Sequence, residues 1–271
     1  MTACIRRHVI VALLSAPILA GPSAFSTTAV AEPRSHAEED ARITAPARQV
    51  MEELRRTYRG SAGISVIISG ERTGESTGYM PSRKRLLISA TGDVKVLTPS
   101  YDLTMLKGVA YMNSPFFPGY IVKARPPRVP DAAIETLEGL WPMDPLTLEV
   151  RIRLGSTVEK TFEPWLAAIG EKGTVTSTVG VFSDSAPSTA LRFQGGDTDL
   201  VVWVDQATGL VRGVRGRVAQ GGQVVQIDEL RESQAVDRRP QVVVATTGRI
   251  PVDSFDALRE AWGRVYTVPT N

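Results

Sequence analysis

The sequence predicts an α+β domain built on an antiparallel sheet. Two groups of β-branched runs are joined by connections too short for helical crossovers. Helical segments interrupt the runs in the middle of the chain, and an amphipathic helix stands at each end of the domain. The opening helix has Thr44 as its expected N-cap and Pro46 in its first turn, and Gly60 ends it. Between them Val50, Met51, Leu54 and Tyr58 recur at helical spacing.

Strands follow at Ile64–Ile68, Arg85–Ser89, Val94–Thr98, Leu103–Leu106 and Val109–Met112. Gly92-Asp93 and Lys107-Gly108 are the turn signals between them. Ser114–Pro130 holds five prolines and reads as a long surface loop. Asp131–Leu140 is a short helix with Ile134 and Leu137 on one side. Leu146–Leu154 alternates apolar and polar residues and is expected to be a strand, although Asp144-Pro145 resembles a helix start; a helix there would scatter its five apolar residues around the whole circumference. Thr157–Ile169 returns to helix through Val158, Phe162, Trp165 and Leu166, despite Pro164.

A second meander is expected at Val175–Phe182, Ala190–Phe193, Leu200–Val204, Leu210–Val218 and Val224–Leu230, with turns at Asp205–Gly209 and Gln220–Gly222. Gly213 and Gly216 interrupt one of these strands, where they relieve crowding or permit curvature. Residues 231–241 read as charged linker, Val242–Ala245 as one more strand, and Asp253 as the cap of a closing helix carrying Phe255, Leu258 and Trp262.

Ahead of the domain, Arg6-Arg7, the apolar run Val9–Ala20 and Ala29-Val30-Ala31 have the layout of a cleavable secretory signal, cut after Ala31 or earlier after Ala24. The run is too short to span a bilayer and contains Pro17. The chain has 31 Lys+Arg and 29 Asp+Glu; residues 1–31 hold two of the arginines and no acid, so the remainder is balanced. A balanced surface argues against a nucleic-acid partner. The only cysteine, Cys4, falls in the signal, as does His8; His36 falls in the polar leader. The domain therefore lacks the residues of Ser-His-Asp and Cys-His sites and of ordinary zinc sites, and no phosphate-binding loop occurs. No cofactor and no metal are expected. Carboxylates remain: Glu135 and Glu138 on one helix face, Asp197, Asp199 and Asp205 around a strand, and Asp228 with Glu229 at a strand end.

The stretch Leu200-Val-Val-Trp-Val-Asp205, a turn, then Leu210-Val-Arg212, together with Arg83-Lys84-Arg85-Leu86 after Pro81, resembles the lipoprotein-carrier fold shared by LolA, LolB and RseB. The resemblance covers roughly residues 44–230. It implies an incomplete antiparallel barrel closed by helices around an apolar cavity, and binding of acyl chains or lipid-modified protein. The expected organisation is a signal peptide over 1–31, a disordered leader over 32–43, the half-barrel over 44–230, and over 231–271 a linker and helix packing on the same domain. The expected function is non-catalytic: an exported, periplasmic or secreted protein holding a lipid, acyl chain or lipoprotein. The candidate cavity residues are Val66, Ile68, Leu86, Ile88, Val96, Met105 and Met112 from the first meander, with Phe116 and Phe117 from the proline-fixed loop. Two readings of other classes stay open. One is a protein-interaction or sensor module with an envelope protein partner on the Phe116-Phe117 loop. The other is a carboxylate-based hydrolase of envelope polysaccharide.

Overall fold

The computed structural model describes residues 40–74, 78–142, 144–183, 186–236 and 240–266. The expected signal, its cleavage sites and the first part of the leader lie outside these residues. Twelve strands form a single sheet in the order β12-β6-β5-β4-β3-β2-β1-β11-β10-β9-β8-β7. The first meander is β1 (Gly63–Gly74), β2 (Gly78–Ser89), β3 (Val94–Leu97), β4 (Asp102–Leu106), β5 (Val109–Asn113) and β6 (Tyr120–Ala124). The second is β7 (Thr174–Val181), β8 (Pro187–Gly195), β9 (Thr198–Asp205), β10 (Val211–Gln220) and β11 (Gln223–Ala235). Antiparallel pairing of β1 with β11 fuses the two. The last strand, β12 (Ile250–Val252), runs parallel to β6 at one edge, and β7 forms the other, so the sheet stays open. With helices on its inner face, this is the predicted α+β half-barrel.

The inner face is built by register. Val66 stands opposite Leu86, Leu86 opposite Val96, Val96 opposite Leu103, Leu103 opposite Met112 and Met112 opposite Val122, one apolar row across six strands. A helical layer covers it: α1 (Ala45–Gly60), α2 (Ala132–Leu140), α3 (Leu148–Leu154) and α4 (Val158–Ala168). Met51, Leu54 and Tyr58 of α1, Ile134 and Leu137 of α2 and Phe162 of α4 join the strands in one continuous core. Burial of this kind contributes about 25 cal/mol per Å² of apolar surface, which makes the covered row the main source of stability. A fifth helix, α5 (Phe255–Tyr266), docks on the β5–β6 side: Phe117 meets Phe255 and Trp262 edge-on at 6.2 and 5.8 Å, and Trp141 meets Phe255 at 5.5 Å.

Several local expectations are corrected. Leu146–Leu154 is not a strand; its core is helix α3, with Leu148, Glu149, Val150, Arg151 and Ile152 all buried. The alternation misleads because Leu148–Ile152 are buried on every side of the helix, so apolar residues all around that stretch are what its surroundings require. The loop over 114–130 contains β6. Val242–Ala245 forms no strand, while β12 follows it, and β11 runs on to Ala235 through the expected linker. Thr44 precedes α1 but does not cap it; its hydroxyl donates to the Val175 carbonyl. At α5 the Ser254 hydroxyl, rather than Asp253, accepts the amide of Ala257. The last four residues of the stretch read as leader are fastened down: Ile43 is buried and bridges Val175 in parallel, and Arg42 donates to the carbonyls of Leu166 and Gly170.

Gly213 and Gly216 mark close approaches within the second meander. A Cβ on Gly213 would meet the Phe182 ring at 2.4 Å. Gly216 sits at φ +128°, and a Cβ there would meet the Asp199 carbonyl oxygen at 2.1 Å. The Gly216→Ala variant is expected to lose about 2–4 kcal/mol in urea unfolding. Gly92→Ala, at φ +85° in open space, is expected to lose only about 1–2 kcal/mol.

Candidate functional site

Along β1 the inward positions change character. Ile64, Val66 and Ile68 are apolar, but Ile68 stands between Lys84 on β2 and Arg231 on β11, and Gly70 stands opposite Glu229. Arg72 follows on the same face. This end of the half-barrel interior is therefore ionic, and α3 adds Glu149 to it. Glu149, Glu229 and Arg231 are 0%, 1% and 3% exposed, so their charges survive only through their partners. Arg231 is the bridge: Nε donates to Glu149 Oε1 at 2.5 Å and Nη2 to Glu229 Oε2 at 2.9 Å. Arg72 Nε donates to the other oxygen of Glu229 at 2.7 Å. Asp144 receives Lys84 Nζ at 2.7 Å and the Tyr101 hydroxyl at 2.6 Å.

The titration of these groups follows the same balance. Burial works against the charge on Arg231, but Glu149 and Glu229 outweigh it and the pKa is raised. Arg72 is raised in the same way, with Glu229 outweighing burial. For Lys84 burial wins over Asp144, and its pKa is lowered.

A cleft of about 80 Å³ opens beside this network, between α3–α4 and β10–β11. Its apolar walls include Leu146 and Leu148, Pro164 and Trp165 of α4, and Val214, Val218 and Ile227 of the sheet; its polar end holds Arg72, Thr147, Arg151, Glu229 and Arg231. Trp165 is held in place against Phe193 at 5.2 Å. Arg151 is committed to Glu138, to Glu163 at 3.2 Å and to the carbonyls of Lys160 and Thr161. Two lining residues each carry a buried atom with no hydrogen-bond partner, Thr147 Oγ1 and Arg231 Nη1, and Glu149 Oε2 has none either.

The candidate cavity residues stand elsewhere. Val66, Ile68, Leu86, Ile88, Val96, Met105 and Met112 all lie buried in the helix-covered core. Phe117 packs against α5, and Phe116 is 60% exposed. None of the nine lines the cleft. The sequence signals that bear on the cleft are Glu149 and Arg151, which read as the polar face of an alternating strand, and Arg231, which lies within β11 but reads as charged linker. Of the acids considered for hydrolysis, Asp199 pairs with Arg192, Asp205 with Arg212, Asp228 with Arg215, Glu135 with Lys160 and Glu138 with Arg151. Among the described residues no group of three or more His, Cys, Asp and Glu side chains could hold a metal ion. No described helix is long and apolar enough to cross a membrane.

The motif behind the resemblance is a turn clamp. Asp205 accepts the amides of Ala207 and Thr208 and, at 2.7 Å, Arg212 Nη1. Trp203, two residues before Asp205 on β9, packs against Phe182 at 5.7 Å.

No family model matches the chain, and no curated protein matches it. Among solved structures it is similar to a chain of the Pseudomonas aeruginosa MucA/MucB complex, at 12% identity and TM-score 0.35 over 74% of this chain. The match covers 65% of that chain, so this protein spans just under two thirds of its length. It is also similar to a LolA superfamily protein from Nitrosomonas europaea, at 11% identity and TM-score 0.29 over 70% of this chain and 94% of that one. A third is LprF from Mycobacterium bovis, at 11% and 0.32 over 74% and 97%. This chain's own strand order and helical insertion define its fold.

Two outcomes follow from the site. Removing one partner of a buried pair leaves an uncompensated charge, so Glu149→Leu is expected to lose about 3–5 kcal/mol in urea unfolding. Adding Arg231→Met is expected to recover most of that loss, since a neutral apolar pair needs no counter-charge. For Asp205, burial pushes the carboxyl up, but the Thr208 amide and hydroxyl and Arg212 outweigh it and hold it below its ordinary 3.8. That stabilisation is present above 3.8 and lost as pH falls through the folded-state value. Asp205→Asn is expected to lose about 1–2 kcal/mol at pH 7, with the gap to wild type closing in acid titrations followed by circular dichroism.

Proposed function

We propose that this chain is a non-catalytic binding protein of the bacterial cell envelope, periplasmic or secreted, that takes a hydrophobic ligand into its half-barrel: a lipid, an acyl chain or the lipid of a lipoprotein. The observation that carries the reading is the apolar-walled cleft between the helical insertion and β10–β11. Six of the seven acids considered for catalysis are ion-paired, which supports binding over hydrolysis, and the signal-like residues 1–31 support the location.

The cleft is smaller than the roughly 300–1,000 Å³ usual for ligand pockets. A full acyl chain therefore enters by displacing α3 and α4 from β10–β11. Two features favour movement there over movement elsewhere. Pro164 interrupts the hydrogen bonding of α4 at the cleft wall, and the inner end of α3 is held by an ion pair rather than by apolar packing alone.

The test is native mass spectrometry of protein recovered from its host, followed by rebinding of an acylated peptide. A bound lipid is expected, with rebinding lost in Val218→Trp, which fills the cleft, and retained in Val179→Trp on the exposed sheet edge. Protein recovered without lipid that also refuses the acylated peptide would refute the carrier reading.

The exposed Phe116, on a loop anchored by Phe117, favours a second reading as a protein-interaction module. Pull-downs from an envelope extract with wild type and Phe116→Ser are expected to differ if that loop binds a partner; identical partner sets would remove it.

A further inference from the structure

We propose that the polar end of the cleft is a headgroup site for an uncharged amphiphile, one with an ester or amide carbonyl, and that it selects against free fatty acids and anionic lipids. This rests on the carrier reading and adds the chemistry of the ligand's head.

Three observations carry it. Arg231, with a side chain 3% exposed, and Thr147 both line the cleft, and each holds a buried donor without a partner, Nη1 and Oγ1. Together they offer donors to a carbonyl oxygen and to a neighbouring ester or hydroxyl oxygen. The charge of the wall is already balanced. Arg72, Lys84 and Arg231 face Asp144, Glu149 and Glu229, three against three, and Arg151 lies between Glu138 and Glu163. No surplus cation remains for a carboxylate or phosphate, and a buried anion without a counter-charge is strongly disfavoured. A neutral acceptor satisfies the donors without disturbing that balance. The remaining walls, Leu146, Pro164, Trp165, Val214 and Val218, suit the first methylenes of an alkyl chain.

The experiment uses the whole folded chain and three probes of equal chain length below their aggregation limits: monopalmitoylglycerol, palmitate and palmitoyl-lysophosphatidate, at pH 8. Binding is read from tryptophan fluorescence, and Trp165→Phe identifies the responding residue. Monopalmitoylglycerol is expected to bind at least about tenfold more tightly than either anion. Thr147→Val keeps the side-chain shape and is expected to weaken the glycerol ester about threefold to tenfold without changing palmitate. The double variant Glu149→Leu/Arg231→Met removes the second donor without leaving a lone charge, and is expected to abolish the preference. Anions binding as tightly as the ester, or a preference untouched in both variants, would overturn the headgroup inference while leaving a carrier. A chain that binds none of the three probes would overturn the carrier reading and this inference together.

Discussion

The structure depends on Arg231 bridging Glu149 and Glu229. Between the open sheet and the other helices, α3 is buried on every side over Leu148–Ile152. A helix with no solvent face has no amphipathic stripe to set its rotation, because apolar contact is equally good all round. The ion pair supplies the missing direction: Glu149 can reach Arg231 from one rotation and one depth only. Such a pair adds little net stability over an apolar replacement, but it penalises every arrangement that leaves a charge alone. Its role in this fold is specificity, as the registering polar group is in a coiled coil.

The same bridge explains why the interior has two ends. Side chains alternate strictly along β1, so Val66, Ile68, Gly70 and Arg72 share one face. Moving along it leads from the apolar row into the ionic cluster. Gly70, at φ +149° with the Asp228 carbonyl where a Cβ would stand, marks the point where β1 and β11 close in. Beyond it the strands carry the charges that hold α3. The cleft lies on this boundary, which is why one of its walls is hydrocarbon and its end is guanidinium and hydroxyl.

What could be read from the sequence follows from which residues have two kinds of neighbour. The meanders were legible because each strand has a core face and an outer face, and Lys107-Gly108 and Gly221-Gly222 signal their turns: Lys107 and Gly108 both take left-handed backbone angles, as a tight hairpin requires. The inward set Val66, Leu86, Val96 and Met112 was legible for the same reason, since one phase of the alternation is apolar. Helix α3 was not, because its alternation reflects burial on every side. β6 was hidden by flanking prolines, and β12 is a three-residue strand whose place depends on a parallel partner 130 residues earlier in the chain. The cleft draws on residues from β1, the α3–α4 insertion and β10–β11, and only the folded topology brings these together.

The covering helices are held differently across the interior. On the first meander, Ile134 and Leu137 of α2 belong to a continuous apolar core in which displacement would expose hydrocarbon at about 25 cal/mol per Å². On the second, α4 is pinned at Phe193 by Phe162 and Trp165, while towards β10 and β11 its neighbours are the cleft and the ionic cluster. Opening there exposes less apolar surface, and the charges it uncovers regain water as they lose one another. In the proposed carrier role, a ligand chain entering on that side would replace hydrocarbon contact with hydrocarbon contact, so the cost of opening would fall mainly on the Glu149–Arg231 pair. In that role the interaction that fixes α3 in place is also the one that would set how readily the half-barrel admits a guest.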